Sequence, residues 1–244
     1  MILKRWEFSP VVVRVAPFAV FLVLTYCQGQ FGESGRFWFY FAKTVVGGWL
    51  VWEMRSLVRE ARWAWSWPAL GAGVAVFALW VGLDGLYPTI DEIGQRYLAP
   101  ALRAVGLAAW APKPPQQAAV WNPYLFFGEN SVLAWMFVFV RIGGSTLVVP
   151  PLEEVFYRSF LYRYLIKADF VSLPLGIFAA KPMLATAIIF GLTHHQWLAG
   201  ILCGLCYQGL VCWRNRLGDA MTAHAITNLL LGIWVIGRGA WHFW

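Results

Sequence analysis

The sequence predicts an all-α membrane bundle of seven or eight transmembrane helices in a single domain. Three observations lead there. Hydrophobic residues make up 60% of the 244-residue chain and charged residues only 13%, against about 45–50% and about 25% in a soluble domain. Sixteen tryptophans and eighteen phenylalanines suit both hydrocarbon and its interfaces. The apolar residues also fall into runs long enough to cross a hydrocarbon core about 30 Å thick, parted by short basic or Pro/Gly-bearing connections.

The elements follow in order. Residues 1–9 carry Lys4 and Arg5 and precede a first apolar run over 10–27. That run lacks a small-residue cleavage site and reads as a retained anchor. After the loop "QGQFGESGR" a second run covers 37–57, and Arg55, Arg59 and Arg62 make the next connection basic. A third run covers 67–86. The segment 87–130 differs: it is amphipathic and then proline-rich, "WAPKPPQQAAVWNP", and is placed outside the membrane as a turn or linker. A fourth run, 131–149, is expected to break at Pro150-Pro151. Whether 152–167 forms its own span decides between seven and eight. Runs at 182–197, 198–213 and 219–236 complete the bundle.

The basic residues at 4–5, 55–62 and 214–216 place those loops in the cytoplasm. The formal charge of +7 therefore reads as orientation, and no nucleic-acid partner is expected. The expectation is one multi-pass domain over 1–244, with N-terminal helices in 1–130 and a helical core in 131–244. Cys27, Cys203, Cys206 and Cys212 suggest no disulfide framework. Arg14 and Lys43 are near enough to helix ends to snorkel. Arg141, mid-run, either snorkels or pairs with a carboxylate across the bundle.

Ionisable groups inside a bilayer are costly and so point to function. At about 1.5 Å per helical residue, Glu153 lies roughly 21 Å from Lys167, His194 roughly 18 Å from Pro182 and His224 roughly 12 Å from Arg216. Three segments thus each bring a catalytic-type side chain near mid-membrane. Residues four apart share a helix face. Glu154 and Arg158 are such a pair and can hold one another. Glu153 points about 100° away around the helix and is left for chemistry. His224 and Asn228 share a face, as do Phe190 and His194. A desolvated glutamate can take a proton from water. A histidine can orient that water or protonate a leaving amine. A histidine and an amide can donate to a tetrahedral oxyanion. Together these groups imply hydrolysis. Against this stands the structural reading, in which a buried histidine packs and a Glu–Arg pair merely ties a helix.

The segments "EEVFYR", "FGLTH" and "HAITN" fit Glu-Glu-x-x-x-Arg, Phe-x-x-x-His and His-x-x-x-Asn. In that order, over 153–228, the chain resembles the CPBP family of intramembrane proteases, which includes CAAX prenyl endopeptidases and bacterial Abi-type proteins. The resemblance implies an intramembrane endopeptidase of CAAX-protease type, cleaving a membrane-embedded or lipidated protein or peptide. It implies Glu153 as the base that activates water, with His194 assisting. His224 and Asn228 would stabilise the oxyanion, and Glu154, Arg158 and Phe190 would support. Catalysis without a metal is expected. A zinc-dependent version, with Glu153, His194 and His224 as ligands, is the alternative. A non-catalytic immunity or scaffold protein using the same polar cluster is another. A proton-coupled transporter would need an internal pseudo-symmetry that the sequence does not display. The expected location is a bacterial inner membrane. Residues 1–130 carry no motif of this family.

Two motifs read as decoys. "GESG" at Gly32–Gly35 matches a rhomboid-type Gly-x-Ser-Gly but sits in a short loop between charges. "CGLC" at Cys203–Cys206 reads as small packing residues, and Gly200 and Gly204 form a GxxxG step for close helix approach.

Overall fold

A computed structural model of the chain describes residues 9–28, 30–112 and 120–244. Lys4, Arg5 and residues 113–119 of the proline-rich linker lie outside the described residues. The described residues fold as helices without strands. In chain order these are α1 (Val12–Gln28), α2 (Gly32–Leu57), α3 (Trp67–Gly82), α4 (90–104), α5 (Pro123–Phe127), α6 (Val132–Ile166), α7 (Ala180–Leu192), α8 (Trp197–Arg214) and α9 (Leu217–Arg238).

Local chemistry sets several boundaries. Ser66 caps α3 by accepting from the Ala69 amide, with Pro68 in the first turn, where a missing N–H costs nothing. Thr89 and Glu92 form a reciprocal capping box at the start of α4. α8 ends on Asn215 at φ 51° and α9 on Gly239 at φ 65°, left-handed stops that favour Asn and Gly.

Several expectations are corrected. Helix α2 begins at Gly32 rather than 37, so "GESG" forms its first turn. Lys43 consequently lies mid-helix and buried instead of snorkelling. Run 182–197 also ends sooner: α7 stops at Leu192, and 193–196 is a turn. Finally, Pro150 and Pro151 do not break the fourth run, because α6 continues from Val132 to Ile166. Both prolines lack the N–H that would bond the carbonyls four residues back. The helix instead widens over 144–148, where the Val149 amide bonds Gly144 five residues earlier, and so passes the prolines without ending. A second widened stretch covers 155–161. The residues 152–167 are therefore no separate helix.

Helices α6 and α9 are long and apolar enough to cross a membrane, while α1, α3 and α7 are apolar but shorter. The outward faces carry Val23, Trp38, Trp52, Phe139 and Ile233, all exposed. Buried positions include Glu154, Arg158, Gln208 and Asp219. That inverts the soluble pattern, in which charges face out.

α3 lies along α9, α7 along α8 and α1 along α2. Between them sits a core of Leu152, Val155, Tyr157, Phe190, Tyr207 and Met221. The α7–α8 contact depends on glycine. A Cβ on Gly200 would sit 2.8 Å from the Gly191 Cα, and one on Gly204 3.0 Å from the Ala187 Cα. Gly200→Val is expected to cost about 1–3 kcal/mol through overpacking, read as a lowered unfolding midpoint in detergent. An unchanged midpoint would show that the two helices are free to part.

Arg14 is buried as well, and does not snorkel. Its guanidinium meets Glu60 at 2.7 Å, and Glu60 also accepts from Ser159 at 2.6 Å and Arg163 at 3.1 Å. Burial pushes the Glu60 carboxyl up, but these donors outweigh it and hold it below the usual carboxylate range. The cluster ties α1 and the α2–α3 connection to α6, just beyond the glutamates of that helix.

Candidate active site

The widened register of α6 places its two glutamates differently. Glu154 is fully buried and ion-pairs with Arg158, Nε to Oε2 at 3.1 Å, as the four-residue spacing predicts. The N–H vector lies off the hydrogen-bond line, and the other two guanidinium nitrogens have no hydrogen-bond partner among the described residues. Arg158 instead lies over the Phe190 ring, 4.8 Å from its centroid. Glu154 also has a partner the spacing did not reveal. Its Oε1 is 3.0 Å from His224 Nδ1. A carboxylate only accepts, so Nδ1 carries the hydrogen and Nε2 is left for other work. Glu154 is therefore not closed upon Arg158: it joins α6 to α9 and sets the His224 ring. Tyr207 stacks on that ring at 5.4 Å and bonds Thr227, which bonds the Gly73 carbonyl.

Glu153 takes the other face. Its side chain is 17% exposed, and its Oε2 lies 4.0 Å from His224 Nε2. That oxygen is buried without a hydrogen-bond partner among the described residues. His194 follows α7 in the 193–196 turn. Its Nδ1 is 2.8 Å from the Phe190 carbonyl, so the Phe-x-x-x-His spacing closes over the helix C-terminus and leaves Nε2 without a hydrogen bond among the described residues. Phe190 walls the imidazole at 4.7 Å and Trp80 meets it edge-on at 5.5 Å. Asn228 donates from Nδ2 to the Ser145 carbonyl at 2.8 Å, inside the widened turn of α6. Its amide keeps a second N–H.

Glu153, His194, His224 and Asn228 line one cavity of about 380 Å³, together with Phe190, Thr193, Cys203 and Tyr207. Their motifs lie on α6, on α9 and in the turn after α7, so helix packing assembles what the sequence spreads over 76 positions. Glu154, Arg158 and Phe190 back this group from the core. Ser34 of "GESG" is exposed at the start of α2 and does not line the cavity. The cysteines are free thiols, and of the "CGLC" pair only Cys203 reaches the cavity wall.

The zinc alternative would take Glu153, His194 and His224, which line the one cavity, as its ligands. Among the described residues no three His, Cys, Asp or Glu side chains form a group able to hold a metal ion. The Nδ1 atoms of both histidines already face Glu154 and the Phe190 carbonyl.

Several positioning residues were not legible in the motifs. The segment after α3 packs back on the bundle. It clasps the turn that carries His194. The Ile90 amide bonds the His195 carbonyl at 3.1 Å, and Tyr87 accepts from the Ala199 amide at 3.0 Å. Asp84 accepts from Gln196 at 2.6 Å, Asp91 meets His195 at 2.7 Å, and Trp197 donates to the Pro88 carbonyl at 3.0 Å. Lys43 and Arg141 also line the cavity, outside every motif.

Residues 130–230 match the family described as type II CAAX prenyl endopeptidase Rce1-like. The match contains Glu153, His194, His224 and Asn228 and bears out the resemblance read from the three motifs. No curated protein and no solved structure matches the chain.

Proposed function

With residues 130–230 an Rce1-like segment of CAAX prenyl endopeptidase type, we propose that this chain is an intramembrane endopeptidase that hydrolyses a peptide bond in a membrane-embedded or lipidated substrate. One observation carries the reading: the buried, unpartnered Oε2 of Glu153 shares a cavity with two histidines and an amide. Glu153 takes a proton from water as that water attacks the peptide carbonyl. The unengaged Nε2 of His194 orients the water. The oxyanion is met by the second N–H of Asn228 and by Nε2 of His224 in its doubly protonated form, whose charge Glu154 balances. The proton held by Glu153 then passes to the leaving amine. No step needs a metal.

The multi-pass arrangement belongs to this proposal. α6 and α9 cross the bilayer, and the apolar outer faces of α1, α2, α3, α7 and α8 meet lipid beside them. A bacterial inner membrane fits the small, tryptophan-rich bundle.

The decisive experiment compares membrane-protein termini, by mass spectrometry, in cells carrying the wild-type chain and cells carrying Glu153→Ala. A protein whose terminus is shortened only in the wild type is the expected substrate. Identical termini would support the reading as a non-catalytic scaffold. Cleavage by purified protein is expected to survive EDTA and 1,10-phenanthroline. Loss with chelator and recovery with Zn²⁺ would favour the zinc-dependent version of the same protease.

A further inference from the structure

A second cavity, of about 570 Å³, shares no lining residue with the one that holds Glu153. Its floor is apolar: Val51 and Met54 of α2, Pro151 of α6 and Met221 of α9. Its rim carries Arg55, near the end of α2, and Arg62, in the α2–α3 connection, both exposed. Neither guanidinium has a carboxylate within ion-pair distance among the described residues. The acidic residues closest in sequence lie elsewhere. Glu53 is buried, and Glu60 is held by Arg14, Ser159 and Arg163.

The rim is held in place. The Arg55 guanidinium carbon lies 3.2 Å from the Trp52 ring centroid. Stacking of that kind occupies a face of the guanidinium and leaves its fork of N–H donors open to an oxyanion. The connection that carries Arg62 is tightly turned: the Ala61 amide donates to the Val58 carbonyl at 3.1 Å and the Arg62 amide to the Glu60 carbonyl at 2.8 Å. Val58 is wholly buried. The Arg62 carbonyl lies so near Gly218 of α9 that a Cβ there would collide with it. Backbone packing thus sets both arginines beside one apolar recess. Trp52 and Trp63 line it. With Trp65 and Trp67 they are exposed, as tryptophans are at a membrane interface.

We propose that this recess binds one anionic phospholipid, with its phosphate between Arg55 and Arg62 and its upper acyl chain on the apolar floor. Only that occupant meets both halves of the recess. A soluble anion would satisfy the arginines and leave the floor in water. A neutral lipid would cover the floor and leave two guanidinium charges uncompensated. The excess of arginine over 55–62 sets the recess at the cytoplasmic leaflet, where anionic lipids attract basic residues. Such a site stands without the endopeptidase reading and rests only on the bundle lying in a bilayer. It touches the same helices all the same. Pro151 and Met221 stand two and three residues from Glu153 and His224, so a seated lipid would brace α2, α6 and α9 behind the active site.

The test counts lipid and uses no substrate, so its failure is distinct from a failure of cleavage. The purified chain in neutral detergent is titrated with phosphatidylglycerol and with phosphatidylcholine of the same acyl chains. Bound lipid is read by native mass spectrometry. Phosphatidylglycerol is expected to bind about 25-fold more tightly, at roughly fivefold for each arginine near an anionic headgroup. Arg55→Gln and Arg62→Gln are each expected to lose about fivefold, and the double variant to bind the two lipids alike. Both side chains are exposed, and thermal midpoints without lipid verify that each variant is folded. Arg59→Gln, which does not line the recess, is expected to keep the full preference.

Gly48 of α2 tests the floor. It lines the recess, and a Cβ there would meet nothing nearer than Val148 at 3.9 Å. Gly48→Leu therefore fills the space while both arginines remain, and is expected to lose the bound-lipid peak. Equal affinity of the wild type for the two lipids would overturn the proposal. So would a preference that survives loss of both arginines. If glycerol 3-phosphate raises the thermal midpoint as far as phosphatidylglycerol does, and Gly48→Leu leaves that rise intact, the recess takes a soluble anion and the proposal fails. Dimers that form without lipid and vanish in Gly48→Leu would make the recess a contact between copies, and would equally overturn it.

Discussion

Glu153→Gln is expected to slow cleavage of any substrate by about 10²–10⁴-fold, the range over which a positioned general base acts, while leaving the bundle folded. The change keeps the shape of the side chain and removes the basic oxygen. Because Glu153 Oε2 has no protein hydrogen-bond partner among the described residues, little structural support is lost with it. The check is single-turnover cleavage by purified protein, with the unfolding midpoint measured on the same sample. A variant that cleaves at the wild-type rate would remove Glu153 from the chemistry. A variant that fails to fold would move it into the structural class with Glu154.

The adjacent residue should behave in the opposite way. Glu154→Ala is expected to destabilise the protein by about 3–5 kcal/mol, because it leaves the fully buried Arg158 without its anion. It also frees His224 Nδ1. Arg158→Ala should cost a similar amount by stranding Glu154. The pair of changes Glu154→Leu with Arg158→Met, which removes both charges and keeps volume, should recover much of that loss. Denaturation in detergent of the two single variants and the double variant reads the coupling. Additive losses would mean that the buried pair does not act as a unit. Even a stable double variant should cleave slowly, since nothing then sets the His224 ring.

Much of this arrangement was legible in the sequence because it depends on periodicity. Apolar runs located α1, α3, α8 and α9 to within a few residues. The four-residue spacings correctly paired Glu154 with Arg158 and Phe190 with His194. What escaped depends on groups brought together from a distance. The His224–Glu154 contact spans 70 positions, and the Asp84–Gln196 contact spans 112. No local pattern marks either. Pro150-Pro151 misled because a proline pair ordinarily ends a helix, and a widened turn leaves no recognisable signature. Gly32 misled in the same way, since Gly, Glu and Ser look like a loop but here open α2. Arg141 could be flagged as a charge in an apolar run, yet its aromatic surroundings come from α2, from residue 121 and from residue 244.

The continuity of α6 has one further consequence. Glu153 lies between two widened stretches of a single helix, 144–148 and 155–161. A change in either stretch would therefore re-aim its carboxyl without touching it.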